Sequence, residues 1–309
     1  MALPAARTPS KEGNAVDSGL TALFDAPFEI HRPAQQTVPF VFASPHSGRD
    51  YPESFVAMSR LGRISLRRSE DAFVDELFAG AVALGAPLIA ARFPRAFLDA
   101  NRAPSEIDTA MFDGRLPVAV DAPSPRVTAG LGVIPRIVRD GAEIYRAKLS
   151  PREAELRLSR LYRPYHAALA QLIAETVENF GVAVVIDCHS MPSAAAIPDI
   201  VLGDRYGLAA SPQVTRAAEI AFEKQGFSHA RNAPYAGGYT TLLHGRRDRD
   251  VHALQVEINR GLYLDEDRIE RSSGYEEVQH RLTSAIAHLL AVEPSILGRN
   301  RRHQNFAAE

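Results

Sequence analysis

The sequence predicts a single α/β domain in which helices flank a mixed, mostly parallel β-sheet. Three observations carry this expectation. Short β-rich runs alternate with longer helical ones along the chain. One run, Val182-Ala183-Val184-Val185-Ile186, is apolar without interruption, as a strand buried on both faces requires. No low-complexity linker and no internal repeat divides the chain, so its 309 residues read as one domain, although the length alone would allow about two.

The elements follow in order. Residues 37–43 read as a strand that ends at Ser44-Pro45-His46-Ser47-Gly48. A helix is expected from Ser69, a good N-cap, with Glu70 and Asp71 in its first turn, where the helix dipole favours carboxylates. Val74, Leu77, Phe78 and Ala81 then recur at helical spacing. Residues 87–92 form a second short strand. The strongest helical signal runs over 150–179: Ser150 caps it, Pro151 opens it and Glu153 stands at capping-box spacing. Pro164 is expected to kink or divide this helix, and Gly181 to stop it. Two further strands are expected at 199–202 and 253–258, and two further helices at 212–224 and 275–291. The domain spans 25–297, with a loose arm over 1–24 and a frayed tail over 298–309. Residues 112–136, rich in Pro and Gly, are open to a reading as a lid.

Composition excludes several classes of function. Lys and Arg total 35 against 37 Asp and Glu, so no basic excess exists to neutralise a nucleic-acid backbone. Hydrophobic residues at 46% and charged residues at 23% indicate a globular chain, not a disordered one. The single cysteine, Cys188, rules out an intrachain disulfide framework and a cysteine-rich zinc site, which fits a reducing compartment. Residues 1–19 lack the continuous apolar core of a signal peptide. The longest apolar stretch, 79–91, is broken by Gly80, Gly85 and Pro87 and is shorter than the ~20 residues of a spanning helix. A soluble cytoplasmic protein with no membrane or nucleic-acid partner is expected.

Polar residues just beyond strand ends are where α/β folds place their ligands. Three such ends stand out: Ser44-Pro45-His46-Ser47-Gly48, Asp187-Cys188-His189-Ser190-Met191-Pro192 and Gln255-Val256-Glu257-Ile258-Asn259-Arg260. Two histidines from separate strands and one carboxylate would make a three-ligand catalytic zinc site with an open fourth position. His46 and His189 are far apart in sequence, so no local fingerprint makes the case, and a backbone-bonded core histidine is the bland alternative for each. Glu70, Asp71 and Asp75 compete for the carboxylate, against a reading as dipole-stabilising surface charge. Cys188 behind a buried strand reads as an inert core residue. Ser47 and Ser190 lack a Gly-x-Ser-x-Gly elbow, which disfavours a serine hydrolase.

These clusters, with Glu70-Asp71-Ala72-Phe73-Val74-Asp75-Glu76-Leu77, Leu98-Asp99-Ala100-Asn101-Arg102, Tyr165-His166, Gly237-Gly238-Tyr239-Thr240 and Leu262-Tyr263-Leu264-Asp265-Glu266, occur in order over 39–266. Together they resemble the N-formylglutamate amidohydrolase family, which looks related in fold to zinc carboxypeptidases and aspartoacylases. The resemblance implies a hydrolase-like fold with one Zn2+ per chain on His46, Asp71 and His189, other divalent metals also suiting the set. Carboxypeptidase-type sites carry an acid three residues after the first histidine, where this chain has Arg49; the formylglutamate pattern supplies one at the position matching Asp71 instead, so the resemblance implies Asp71 over Glu70. The resemblance further implies Glu257 as the general base for the attacking water, and Asn101 with Arg102 as the grip on a substrate carboxylate. Arg95 is a second carboxylate clamp or an oxyanion stabiliser. Tyr239 and Thr240 sit on a turn able to close on substrate, and Arg260 is either an ion-pair partner of Glu257 or a further substrate contact. The implied reaction is hydrolysis of N-formyl-L-glutamate to formate and L-glutamate, within amino-acid (histidine) degradation. The alternatives are the same chemistry on another N-acyl amino acid or short peptide, and a non-catalytic carboxylate-binding protein.

Overall fold

The apolar runs of the sequence become strands, and two short mixed stretches join them at the sheet edges. In the computed structural model, which describes residues 17–138, 140–194 and 196–297, these are β1 (Phe28–His31), β2 (Phe40–Ser44), β3 (Leu88–Ala91), β4 (Ala183–Met191), β5 (Ile200–Gly203), β6 (His229–Arg231) and β7 (Val251–Asn259). They form one sheet in the order β1-β3-β2-β4-β7-β5-β6. β3, β2, β4 and β7 run parallel; β1 lies antiparallel at one edge, and β5, with β6 beside it, turns back on β7. The mixed, mostly parallel sheet expected from the sequence is what the chain builds.

The period of two along a strand decides where the chemistry goes. On one face the even-numbered residues Val184, Ile186 and Cys188 of β4 and Leu254, Val256 and Ile258 of β7 join one core cluster. Helices Pro212–Glu223 and Tyr275–Leu290 cover that face. Odd-numbered residues begin the same way on the other face, with Ala183, Val185, Val251 and Ala253 packed under helix Arg163–Phe180. Beyond that layer they turn polar: Asp187 and His189 on β4 stand in register with Gln255 and Glu257 on β7. One face of the sheet is thus core at one end and site at the other.

Several expectations need correction. β4 and β7 run on through Met191 and Asn259, because their ladder continues between the polar residues. No helix starts at Ser69. Residues 69–73 are irregular, since Asp71 N–H donates to His46 O (3.0 Å) and Phe73 holds a left-handed φ of 63°, so the helix begins only at Val74. Pro164 does not divide its helix: a π-helical turn, Leu158–Tyr162, precedes it, and helical backbone runs without a break from Pro151 to Phe180. The end of the expected loose arm is a docked helix, Ser18–Asp25, capped by Asp17 and burying Leu23. Residues 1–16 and the tail 298–309 lie outside the described residues. Among the described residues no helix is long and apolar enough to cross a membrane.

Candidate metal centre and substrate pocket

The residues of the site arrive on three neighbouring strands. His46 stands two residues past the end of β2, His189 lies in β4 and Glu257 is its register partner on β7. The turn after β2 depends on Gly48: a Cβ there would lie 2.2 Å from the Phe93 carbonyl oxygen, so only glycine lets this turn run against the one following β3. That approach also sets the distance from His46 to the acids beyond β3.

His46, Asp71 and His189 offer one ligand atom each, all within 4.8 Å of one another. Nδ1 of His46 lies 3.2 Å, and Nδ1 of His189 2.9 Å, from Asp71 Oδ2. The opposite nitrogen of each ring meets another carboxylate: His46 Nε2 lies 2.7 Å from Asp99 Oδ1, and His189 Nε2 lies 3.0 Å from Asp187 Oδ2. A carboxylate behind an imidazole fixes its tautomer and makes the facing nitrogen a better donor to a metal. Burial opposes charge on Asp71, yet hydrogen bonds from His189 and His46 hold it well below the usual carboxylate range. Burial opposes charge on Asp99 too, and the charges of His46 and Arg95 outweigh it. These donors, two imidazole nitrogens and one carboxylate oxygen within 4.8 Å of one another, fit a divalent cation. Glu70 is turned away, accepting from Tyr51 Oη at 2.7 Å and paired with Arg67.

The remaining expected residues divide into those facing the pocket freely and those already engaged. Arg260 is buried and donates to Asp71 Oδ1 (2.8 Å) and Ser190 Oγ (3.0 Å), as well as to Glu70 O, so it braces the Asp71 carboxylate. Asn101 is engaged as well: its Nδ2 approaches Asp187 Oδ2 (3.2 Å), and its Oδ1 accepts from Thr240 N–H (2.7 Å). The Gly237-Gly238 pair serves this contact, because a Cβ on Gly238 would lie 2.4 Å from Asn101 Nδ2. The segment is the tight start of helix Tyr239–His244, in place of the closing turn expected from the sequence. Tyr239 and Thr240 stand behind the pocket wall, and the tyrosine lining the pocket is Tyr235.

The pocket, of about 410 Å³, is lined by His46, His189, Glu257, Arg95 and Arg102 among others. Burial pushes the Glu257 carboxyl up to about 7, with His189 pulling it down and Asp71 pushing it further up. Gln255 Nε2 donates to its Oε1 at 2.7 Å. Arg95 donates to Asp99 Oδ2 (3.1 Å) and sits 4.0 Å from Asp71 Oδ1. Arg102 donates to Leu131 O (3.1 Å) and Asn101 O (2.9 Å). The segment 112–136 supplies the facing wall through Arg126, Leu131 and Pro135. Arg126, exposed on the short helix Pro125–Thr128, has no partner for its guanidinium among the described residues. Sequence reasoning passed over Asp99, Asp187, Gln255, Arg126 and Tyr235 as site residues. The first three lay inside quoted motifs, and their placement one strand period from a singled-out residue, or just before Asn101, was the available signal. Cys188 is fully buried on the core face, where burial pushes its thiol far up.

Residues 38–264 match the family model for N-formylglutamate amidohydrolase. The chain is 29% identical over 241 residues to the N-formylglutamate deformylase of Pseudomonas aeruginosa, covering 74% of this chain and 83% of that protein. It is 28% identical over 244 residues to the protein of the same name from Pseudomonas putida, covering 75% and 84%. The crystal structure of N-formylglutamate amidohydrolase from Ralstonia eutropha superposes with a TM-score of 0.81 at 35% identity, over 86% of this chain and 97% of that one.

Proposed function

We propose that the chain, which belongs to the N-formylglutamate amidohydrolase family, hydrolyses the formyl amide of N-formyl-L-glutamate to formate and L-glutamate. His46, Asp71 and His189 would hold one divalent metal, with zinc the leading candidate for two imidazoles and a carboxylate. Such an ion, when bound, lowers the pKa of a water towards neutrality and polarises the scissile carbonyl. Glu257 takes the proton of the attacking water and delivers it to the departing nitrogen. A carboxyl held near 7 by burial is suited to both halves of that task at neutral pH. Arg95, braced by Asp99, places positive charge where the formyl oxygen becomes negative. Arg102 carries the carboxylate grip, its planar fork matching a carboxylate edge to edge.

The observation that supports this reading most is the convergence of two imidazole Nδ1 atoms and one carboxylate oxygen beside a buried, proton-holding glutamate. Metal analysis of the purified protein, with glutamate release from N-formyl-L-glutamate followed with and without a chelator, tests it. Chelator-sensitive turnover with one metal per chain is expected. Turnover should rise with pH as Glu257 deprotonates through about 7. Glu257→Gln should keep the metal and lose ~10²- to 10⁴-fold in kcat. Full activity in that variant removes Glu257 from the mechanism, and bound metal without turnover moves the substrate to another N-acyl amino acid.

A further inference from the structure

Behind the metal cradle lies a set of polar atoms that nothing above has used. Asp187 Oδ1, Gln255 Oε1, Tyr165 Oη, His166 Nδ1, Thr240 Oγ1 and His244 Nε2 are all buried and find no hydrogen-bond partner among the described residues. They belong to one place. Asp187 and Gln255 are register partners on β4 and β7, at the level where the odd-numbered face changes from apolar to polar. Tyr165 and His166 come from helix Arg163–Phe180, which covers that face. Thr240 and His244 come from helix Tyr239–His244, one turn apart, on a helix that packs against β7 and β4. The His166 and His244 rings stack with centroids 5.8 Å apart, and the Tyr165 ring meets His166 edge-on at 5.5 Å.

The bonding requirements of these atoms are complementary but unmet by one another. His166 Nε2 lies 2.9 Å from Ala100 O, a group that only accepts, so its Nδ1 is a bare acceptor. Asp187 Oδ1 and Gln255 Oε1 also accept. The hydroxyls of Tyr165 and Thr240 both donate and accept. A buried polar atom without a partner has lost its hydration with nothing in return, so six together would be a heavy load on a marginally stable fold. An anion is excluded by the surplus of acceptors. Water, with two donors and two acceptors, meets the whole set.

We propose that these six side chains enclose a cluster of long-lived internal water, and that the cluster is a positioning device for both halves of the catalytic site. It completes the hydrogen bonding of Asp187, whose other oxygen holds His189 Nε2. It also gives the Gln255 carbonyl a donor, which selects the amide orientation that turns Nε2 to Glu257. The metal ligand and the base therefore share one buried support. The hydration stands on its own, while the role ascribed to Glu257 in turnover rests on the proposed function.

Deuteron and oxygen-17 relaxation dispersion on the metal-loaded enzyme, with a high-resolution crystal structure, reads the water directly. Tyr165→Phe and Thr240→Val, singly and together, remove one hydroxyl each at nearly constant volume. The expected result is at least one long-lived water in the chamber, lost in the double variant. The two substitutions should also be non-additive in metal affinity, measured by chelator competition, although they lie on different helices. Turnover should fall several-fold in kcat with KM unchanged. A chamber without long-lived water, its six atoms bonded directly to one another, overturns the proposal, as does strict additivity with unaltered metal affinity. Neither water content nor metal affinity depends on the substrate, so a wrong substrate assignment would leave both results standing.

Discussion

The metal cradle and the wall that faces it are built on opposite terms. In the cradle every imidazole nitrogen is matched to a carboxylate, and Asp71 is held from both sides by the histidines and Arg260. The wall, from 126 to 137, carries an exposed arginine with no partner on a helix of four residues. The difference separates two jobs. Chemistry at a metal would need atoms held within fractions of an ångström, and a closed set of ion pairs at and beside strand ends can supply that. A substrate carboxylate would need charge that is still free to be neutralised, and the irregular segment carries such a charge at the pocket.

This contrast is open to test at both ends. Asp99→Asn keeps the shape of the cradle while weakening the bond behind His46, and metal affinity should fall by ~10- to 100-fold in chelator competition. Unchanged affinity with reduced kcat would instead assign Asp99 to Arg95. On the wall, Arg126→Ala should raise KM for N-formyl-L-glutamate about tenfold, equivalent to ~1.4 kcal/mol, with kcat and metal content unaltered. An equal rise for a neutral N-formyl amino acid would show that Arg126 shapes the wall without reading charge. The smallest effect belongs to Glu70, beside the cradle but outside it. Burial raises its carboxyl to about 7 against an ordinary 4.5, so the folded state holds a proton that the unfolded chain releases. Its contribution to stability is present below about 4.5 and is lost as pH rises through about 7. Glu70→Gln should therefore raise Tm by a few degrees above pH 7 and change it little near pH 4, as read by calorimetry.

Legibility in the sequence followed the same division. β2 and the start of β4 were visible because unbroken apolar runs there have one structural use, and β7 through Ala253, Leu254, Val256 and Ile258. The long helix after Pro151 showed through its apolar spacing, although the Ser150 side chain makes no capping bond. β1, with its four residues alternating outward and inward at an edge, and β6, with three, carry too little pattern to announce themselves. The false helix at Ser69 is more instructive. Local propensity favoured it, but Arg260 draws in both the Glu70 carbonyl and the Asp71 carboxylate, and tertiary bonding wins over a capping signal. His46, Asp71, His189 and Glu257 were nameable from motif residues at strand ends. Which arginines were free and which were engaged depended on contacts between segments far apart in the chain, which no local pattern encodes.

The alternation along β7 also works as a form of proofreading. Glu257 faces the pocket only because Leu254, Val256 and Ile258 face the opposite core. If β7 paired with β4 one residue out of step, Ile258 would occupy the pocket wall and the carboxylate would be driven among apolar side chains. An isolated charge in such a place costs several kcal/mol even after relaxation, an appreciable share of the ~5–15 kcal/mol that holds a domain together. A sheet paired one residue out of step is therefore disfavoured by Glu257 and the apolar residues of β7 together.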